Sequence, residues 1–346
     1  MLFCVNQKNI KKENNEKERL PKKTMPKKIP QLPFVSVCTP TFNRRPFMPY
    51  AAQCFLRQDY PMNRMEWVVV DDGTDPVEDV LASLNIPQLK YFRVKDKMTL
   101  GAKRNMMHEV SKGDIIVYMD DDDYYPVERV SHAVDRLMKS QALCAGSSAM
   151  FTFFKHTNQM VQFGPYNQNH ATAGTFAFKR KLLQDTAYDP AASIAEEQHF
   201  LKNYTVPLVQ LDPMKTILVF SHAHNTFDKR KLLETPSSYV KYVPAVTVQH
   251  FIQDASMREF YLNIDLTLQG YAPGAIEMKP DVVAEVKRLE EERKKKMFSV
   301  VVQTASGPRQ LYGQEIVTHL NQLVDENKML RRLVNVLRHP KTETSD

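Results

Sequence analysis

Residues 113–123 read Gly113-Asp114-Ile115-Ile116-Val117-Tyr118-Met119-Asp120-Asp121-Asp122-Asp123. The apolar run that begins at Ile115, bounded by a glycine and polar residues, predicts a buried strand. Four carboxylates follow at its C-terminal end, which is where ligands bind in an open α/β sheet. Neighbouring anions repel one another unless they share a cation, so the segment predicts a seat for a divalent metal ion and a diphosphate. Mn²⁺ or Mg²⁺ suits such oxygen ligands.

The alternative for the four carboxylates is a solvated acidic loop, which the directly preceding buried strand makes less favoured. In an extended chain, Asp120 and Asp122 would point to one side and Asp121 and Asp123 to the other. An EF-hand is excluded because the required glycine and bidentate glutamate are absent at their offsets.

The charge of the chain is concentrated at its N-terminus. The net charge is +7, but residues 1–33 hold nine Lys/Arg and three Glu, which leaves 38 basic and 37 acidic groups elsewhere. Residues 1–33 are therefore predicted to be a disordered basic tail, and the near-neutral remainder argues against a nucleic-acid groove. The alternative to a plain solvated tail is that its lysines form a nuclear-localisation signal or bind a polyanion.

The cysteines and the hydropathy pattern predict a cytoplasmic protein. Four cysteines show neither CxxC spacing nor an evident pairing framework, which is typical of a reducing compartment. The first five residues are too short an apolar run for a signal peptide. No segment approaches the roughly 20 apolar residues that a membrane-spanning helix needs.

Strands and helices alternate before the central segment. Strands are predicted near 34–38, 66–70 and 89–94, and helices near 48–58, 77–84 and 100–110, with a further helix at 127–139. The first strand is predicted to end in a turn at Thr39-Pro40-Thr41-Phe42-Asn43-Arg44, and the second ends in Asp71-Asp72-Gly73-Thr74. Gly101-Ala102-Lys103-Arg104-Asn105 opens a helix, where backbone N–H groups and cations can contact phosphate. This order predicts a parallel sheet covered on both faces.

Shorter strands without long intervening helices are predicted after residue 143, near 147–154, 160–163 and 175–179, which indicates a mixed or antiparallel subdomain. Gly174 lacks a side chain and would let a ligand approach the backbone. Ser193 and Glu196 have the spacing of a capping box, which predicts a helix from there through Tyr204. Glu197 is then free to act as a general base. An equally favoured alternative is that Glu196 and Glu197 are ordinary glutamates at a helix N-terminus, where the helix dipole stabilises negative charge.

A strand near 216–220 is followed by His222 and His224, which share a face in an extended chain and could bind a metal. Near the C-terminus, a heptad seam runs over residues 314–338. Its members are Ile316, Leu320, Leu323, Asn327, Leu330, Val334 and Leu337. The narrow seam and its single asparagine predict a parallel homodimer, with a helix packed on its own domain as the alternative.

These motifs, in this order, resemble the family 2 glycosyltransferases of the GT-A fold over about residues 34–230. The resemblance implies a nucleotide-sugar donor, usually a uridine diphosphate sugar, an acceptor hydroxyl on a glycan, glycoprotein or other molecule, and an inverting reaction. It implies that Asp122, Asp120 and His222 bind the metal, with His224 as second choice, and that Glu197 is the base. In the family, the base usually lies in a Glu-Asp pair, which corresponds to Glu196-Glu197 here. This chain departs from that pattern because its second residue is glutamate.

The predicted donor-binding residues come partly from the resemblance and partly from the strand-end and helix-start patterns. They are Thr39, Pro40, Thr41, Asn43, Arg44, Asp71, Asp72, Arg104, Asp120, Asp121 and Gly174. The predicted layout is a nucleotide-sugar-binding half at 34–143, an acceptor and catalytic half at 144–275, and a helical extension at 276–346. The fold class is therefore α/β, GT-A-like, with a mostly parallel sheet, a mixed subdomain and a C-terminal coiled-coil helix.

Three other functions compete with this one. A catalytically impaired nucleotide-sugar-binding scaffold that oligomerises through its C-terminal helix is kept open by the Glu-Glu departure. A nucleic-acid-binding protein is suggested only by the basic tail. A nucleotidyltransferase would be expected to carry an early Gly/Arg/Lys-rich phosphate loop, and the sequence shows none.

Overall fold

Buried apolar runs organise the chain into one central sheet with helices on both faces. The computed structural model describes residues 31–234, 237–297, 299–304 and 307–338, with all their side chains except those of 293–297. The predicted disordered tail at 1–33 lies almost wholly outside these residues. Contacts divide the chain into Met1–Leu32 and Pro33–Asp346, and the second unit is the one described below.

The central sheet has seven strands. They are β1 (Val35–Thr41), β2 (Met65–Asp71), β3 (Leu89–Arg93), β4 (Ile115–Tyr118), β5 (Cys144–Gly146), β8 (Ala177–Lys179) and β9 (Leu208–Gln210). Their order is β3-β2-β1-β4-β8-β5-β9, and β8 alone among them runs antiparallel to its neighbours. Strands β1 to β4 are mutually parallel, with Val37 aligned to Trp67 on β2 and to Val117 on β4. The predicted α/β class with a mostly parallel sheet is confirmed.

The described residues contain ten α-helices. They are α1 (Met48–Leu56), α2 (Glu78–Ser83), α3 (Leu100–Val110), α4 (Arg129–Met138), α5 (Glu197–Phe200), α6 (Val248–Phe251), α7 (Ala255–Leu262), α8 (Ile264–Leu268), α9 (Pro280–Met297) and α10 (Gln314–Arg338). Helices α1, α2 and α4 pack on one face, in the cluster that contains Val37 and Val69. Helices α3 and α5 pack on the other, in the cluster that contains Cys38 and Val70. Alternating strand residues therefore serve two cores, as expected for a doubly covered sheet.

A second sheet continues the structure after β5. Its strands are β6 (Met150–Phe154), β7 (Gln159–Phe163), β10 (Leu218–Ser221) and β11 (Val240–Tyr242), in the order β10-β6-β7-β11. Strand β10 runs parallel to β6, and the other pairs are antiparallel. A mixed sheet of short strands is thus present after residue 143, as predicted, but the strand predicted near 175–179 is β8 and belongs to the central sheet.

Strand β1 is longer than predicted. It continues through Pro40 to Thr41, so the predicted turn begins only at Phe42. Pro40 is tolerated in β1 because β1 pairs with β4 only as far as Cys38. Beyond Cys38 no residue of β4 needs a backbone N–H from β1, so the missing N–H of the proline breaks no hydrogen bond to β4. Asn43, with a φ of 53°, makes the reversal in the left-handed region that asparagine adopts readily.

The C-terminal extension contains a hairpin as well as helices. Strands β12 (Ser299–Thr304) and β13 (Gly307–Tyr312) pair between α9 and α10, in a region predicted as helical. Val300 and Val301 show the β-branched character that favours a strand over a helix. Along α10 no residue is buried, so the alternative of a helix packed on its own domain does not apply in the described chain. Within the described residues, no helix combines the length and apolar character needed to cross a membrane.

Candidate active site

One cavity of about 330 Å³ opens at the C-terminal ends of β1 and β4. The charged and polar residues of its lining include Thr41, Arg44, Lys103, Arg104, Asp120, Asp121, Asp122, Asp123, Glu196, Thr226, Lys229 and Lys279. The lining also contains Pro40 and Gly174. The central carboxylates therefore face a cavity rather than open solvent. The predicted ligand-binding edge of the sheet is where this cavity lies.

The four carboxylates do not all share one partner. After β4 ends, Asp121 and Asp122 lie in a turn rather than in an extended chain, so the predicted alternation of side chains is wrong. Arg44 contacts both of them, at 3.5 Å from Asp121 and 3.3 Å from Asp122. Asp120 lies 3.4 Å from Arg104 instead, and Asp123 accepts the backbone N–H of Phe220 at 3.1 Å.

These partners separate the pKa values of the carboxyls. Burial acts to raise the pKa of Asp122, but Arg44 and His222 outweigh it and hold that pKa well below its usual value. Burial raises the pKa of Asp121 to about 7, with Arg44 opposing the rise. Burial also raises the pKa of Asp120, against the opposing charge of Arg104. Asp122 is therefore the carboxylate best suited to carry full negative charge at neutral pH.

Of the two histidines, His222 is the one that faces the carboxylates. Its Nε2 lies 3.3 Å from Asp122 Oδ2, while its Nδ1 accepts the backbone N–H of His224 at 3.2 Å. His222 Nε2 also lies 2.8 Å from Asn225 Nδ2. A cation shared by Nε2 and Asp122 would therefore replace that contact and would require the ring proton on Nδ1, in place of the present hydrogen bond from His224. No group of three or more such side chains is arranged for a metal among the described residues. A divalent ion here would need diphosphate or water oxygens for its other ligands, which is usual for Mg²⁺.

Arg104 links the carboxylate turn to the later part of the chain. Its Nε donates to Glu196 at 2.8 Å, and its guanidinium lies over the Tyr118 ring, 4.4 Å from the centroid. Its Nη1 is buried and lacks a hydrogen-bond partner among the described residues. The Arg104 side chain lines the cavity, where its Nη2 contacts Asp120.

The predicted capping box is wrong. The Ser193 hydroxyl donates to Asp281 at 2.9 Å rather than capping a helix, and α5 begins at Glu197 without a side-chain cap. The helix is also shorter than predicted, because residues 202–204 adopt left-handed backbone conformations with φ of 49°, 55° and 61°. Glu196 is released from the structural role assigned to it and lines the cavity in its ion pair with Arg104.

Glu197, the predicted base, lies beside Glu196 but is not among the residues that line the cavity. Burial, and then the charge of Glu196, raise the pKa of Glu197 to about 7. A carboxylate with such a pKa can accept a proton near neutral pH.

Several predicted donor-binding residues are not in the cavity lining, and their side chains have partners within the fold. The Thr39 hydroxyl donates to the Met119 carbonyl at 2.7 Å. Asp71 accepts the N–H groups of Gly73 and Val77, at 2.8 and 3.0 Å, and so holds the turn after β2.

Asn43 and Asp72 have similar internal roles. Asn43 donates to the Pro273 carbonyl at 2.7 Å and accepts the Asp75 N–H at 2.9 Å. Asp72 forms a buried ion pair with Lys103. The other members of the predicted set, Pro40, Thr41, Arg44, Arg104, Asp120, Asp121 and Gly174, do line the cavity.

Gly174 is required by its closeness to the carboxylate turn. A Cβ at this position would lie 2.9 Å from Asp120 Oδ2, so any side chain would push that carboxylate away. Tyr125 ties the two segments together, because its hydroxyl accepts the Asp120 N–H at 2.8 Å and donates to the Gly174 carbonyl at 3.2 Å.

Three lysines of the cavity lining were not among the predicted site residues. Lys103 stands inside the quoted helix-opening motif, which was a usable signal. Lys229 begins a 3-10 helix and Lys279 directly precedes α9, and neither stands in a sequence motif that indicated a site. Burial lowers the pKa of Lys279 to about 7, and the charge of Arg44 adds to the decrease.

Comparison with known proteins agrees with the motifs. Residues 36–188 match the sequence profile of glycosyl transferase family 2. WcaA of Escherichia coli (strain K12), described as a colanic acid biosynthesis glycosyl transferase, is 30% identical over 102 residues, which cover 29% of this chain and 36% of WcaA. The poly(ribitol-phosphate) beta-N-acetylglucosaminyltransferase TarS of Staphylococcus aureus (strain Mu50 / ATCC 700699) is 26% identical over 178 residues, 48% of this chain and 31% of TarS. The matches thus span about a third of these relatives.

Two solved structures are similar to parts of the chain. Staphylococcus aureus TarS 1–349 in complex with UDP overlaps 68% of this chain and 71% of its own, at 19% identity and a TM-score of 0.45. The mannosyltransferase PcManGT of Pyrobaculum calidifontis, in complex with GDP-Man and Mn²⁺, overlaps 76% of each chain, at 17% identity and a TM-score of 0.46. At these scores the two structures add nothing to the sequence match. The profile match confirms, over residues 36–188, the resemblance to glycosyl transferase family 2 that the motifs indicated.

Proposed function

We propose that the chain is a metal-dependent inverting glycosyltransferase that moves a sugar from a nucleoside diphosphate sugar to an acceptor hydroxyl. The observation that carries the proposal is Asp122, which lines the cavity at the sheet edge together with Arg44 and Arg104 and lies 3.3 Å from the buried His222 side chain behind it. Carboxylate, imidazole and guanidinium groups together suit a metal-bound diphosphate. UDP is the proposed nucleotide because it is usual in the family.

Asp122 and His222 would hold the metal ion, with Asp120 as a third candidate that Arg104 now engages at 3.4 Å. When bound, Mn²⁺ or Mg²⁺ would supply positive charge next to the departing diphosphate. The chain's own contribution at that point is Arg44, which is buried and fixed by its hydrogen bond to the His224 carbonyl at 2.7 Å. Such fixed charge costs no reorganisation during the reaction.

Glu197 is the proposed general base, which takes the proton of the acceptor hydroxyl as that oxygen attacks the anomeric carbon. Its pKa of about 7 supports the role, because a base works best when its pKa lies near the working pH. Glu196 is held by Arg104 and would keep that guanidinium in place beside Asp120. A single displacement with one base inverts the anomeric configuration.

We also propose a homodimer through residues 314–338, with the protein in the cytoplasm and free of nucleic acid. The seam residues of α10 are exposed, for example Leu323 by 47% and Leu330 by 61%. In the heptad that places Asn327 at a, Glu326 falls at g and Arg331 at e, which can form salt bridges between parallel chains.

Release of nucleoside diphosphate from a panel of nucleotide sugars tests the proposed function. Purified protein is incubated with UDP- and GDP-linked sugars, with and without Mn²⁺, and a coupled assay measures the released UDP or GDP. We expect metal-dependent release from at least one UDP-sugar. Tight binding without release would favour the scaffold function, and neither binding nor release would contradict both.

A further inference from the structure

The segment of residues 271–281, called the strap here, contributes Lys279 to the cavity lining. It lies outside the family-matched residues 36–188. The Tyr271 hydroxyl donates to Asp75 Oδ2 at 2.8 Å, and Asn43 Nδ2 donates to the Pro273 carbonyl at 2.7 Å. The strap is therefore attached to the turns that follow β1 and β2.

Close packing fixes the strap further along. A Cβ on Gly274 would lie 2.7 Å from His224 Nδ1 and 2.9 Å from the Asn43 carbonyl oxygen, so only glycine fits there. At the other end, Asp281 pairs with Lys97 at 2.8 Å. Both ends are thus anchored, and the residues between them are held against the cavity.

Lys279 is the strap residue that enters the cavity lining. It is 5% exposed, and its Nζ donates to Thr226 Oγ1 at 3.2 Å. Among the described residues it has no carboxylate within salt-bridge distance, whereas in the same lining Lys103 has one and Arg44 and Arg104 have two each. Lys229, which also lines the cavity, is likewise without an ion pair in the described part of the chain.

A buried ammonium group is costly unless an anion or several acceptors compensate it. One hydroxyl satisfies one of the three N–H donors of Lys279. The nearest cavity carboxylates, Asp121 and Asp122, are already engaged by Arg44. A ligand anion that enters the cavity would compensate this ammonium group, and a diphosphate is such an anion.

We propose that Lys279 binds the diphosphate of the donor nucleotide and remains bound to it as the nucleoside diphosphate leaves. This rests on the proposed use of a nucleoside diphosphate sugar. It makes the strap, and with it the C-terminal part of the chain, a component of the donor site rather than an appendage to it.

The test measures UDP and uridine binding to the full chain in the presence of Mn²⁺, by calorimetry for UDP and by competition NMR for uridine. Lys279→Met removes the ammonium and keeps most of the side-chain volume. Lys279→Arg keeps the charge. Lys287→Met, an exposed change on α9, makes the same charge change outside the cavity and serves as the matched control.

We expect Lys279→Met to weaken UDP binding by about 10-fold or more, the scale of a lost charge-assisted hydrogen bond, with uridine binding unchanged. Lys279→Arg should retain most of the affinity, and Lys287→Met all of it. Unchanged UDP binding in Lys279→Met, or an equal loss for uridine, would overturn the inference. If the methionine variant unfolds, Lys279→Gln replaces it, since the amide can still donate to Thr226. A wild-type protein that binds no UDP or GDP would instead overturn the proposed function itself.

Discussion

His222 and His224 stand two residues apart, and the structure distinguishes them. His222 Nε2 faces Asp122 at 3.3 Å, whereas His224 Nδ1 is buried against Gly274 and has no hydrogen-bond partner among the described residues. His222→Ala should therefore weaken Mn²⁺-dependent UDP binding by about 10-fold or more, and His224→Ala by less. Calorimetric titration of UDP with Mn²⁺ measures both. The reverse order would identify His224 as the ligand.

Glu197 and Glu196 can be separated by kinetics. Glu197→Gln keeps the shape of the side chain and removes its ability to accept a proton, so transfer should fall about 10²-fold or more with donor KM nearly unchanged. Because a base must be deprotonated, and the pKa of Glu197 is about 7, wild-type activity should rise with pH and level off above about 7. Glu197→Gln should lose this dependence.

Glu196→Gln is the matched control for this assignment. It weakens the ion pair with Arg104 at 2.8 Å, so it should raise the donor KM and keep the rise of activity with pH. If Glu196→Gln is the variant that abolishes the pH dependence, the roles of the two glutamates are exchanged.

His108 should make the fold sensitive to acid. Its Nε2 lies 2.5 Å from the Tyr118 hydroxyl, and burial, with Arg104 and Arg180, lowers its pKa from 6.5 to about 3. The unfolded chain therefore takes up a proton below about pH 6.5 that the folded chain does not, and stability falls as pH decreases, by up to about 1.4 kcal/mol per pH unit.

Urea denaturation of wild type and His108→Gln between pH 7 and pH 4 measures this contribution. The variant should be less stable at pH 7 but lose less stability on acidification. Parallel pH dependences for the two proteins would show that His108 is protonated equally in both states.

At the scale of elements, α10 differs from the other described α-helices because none of its residues is buried. Truncation after Gly313 removes a helix with no buried residue, so the remaining chain should fold, stay active and be monomeric by light scattering. Asn327→Leu should tighten association and allow trimers or larger species, because the buried asparagine that selects a parallel dimer is lost. A truncated protein that remains dimeric would place the interface elsewhere.

The elements that could be predicted are those whose pattern is local. Helix α3 follows its predicted bounds, Leu100–Val110, because Thr99 caps it, its side chain accepting the Ala102 N–H at 3.3 Å. The predicted capping box at Ser193 is wrong because the Ser193 hydroxyl donates a long-range hydrogen bond to Asp281 instead of capping a helix. The hairpin at 299–312 was missed because a short β-branched run next to charged helices carries little periodicity.

At the scale of the whole molecule, the site combines segments far apart in sequence. The strand-end motifs predicted Arg44 and the carboxylates, since parallel strands bring their C-terminal ends to one edge. No local sequence pattern indicated that Lys279 would line the same cavity as Asp122, because its position depends on how the strap packs against the turns after β1 and β2. Asp71, Asp72 and Asn43 were predicted as donor contacts from the same motifs, and their packing gives them structural partners as well.

The measurement that tests the central claim most directly is Mn²⁺-dependent release of nucleoside diphosphate by wild type and Asp122→Asn. The substitution keeps the size of a side chain that faces the cavity, so the fold should survive, as thermal denaturation can verify. The account predicts that wild-type release rises with Mn²⁺ and that the variant shows at least a 10²-fold lower rate at every Mn²⁺ concentration. Full activity of the folded Asp122→Asn variant would contradict the assignment of the metal site and, with it, the proposed mechanism.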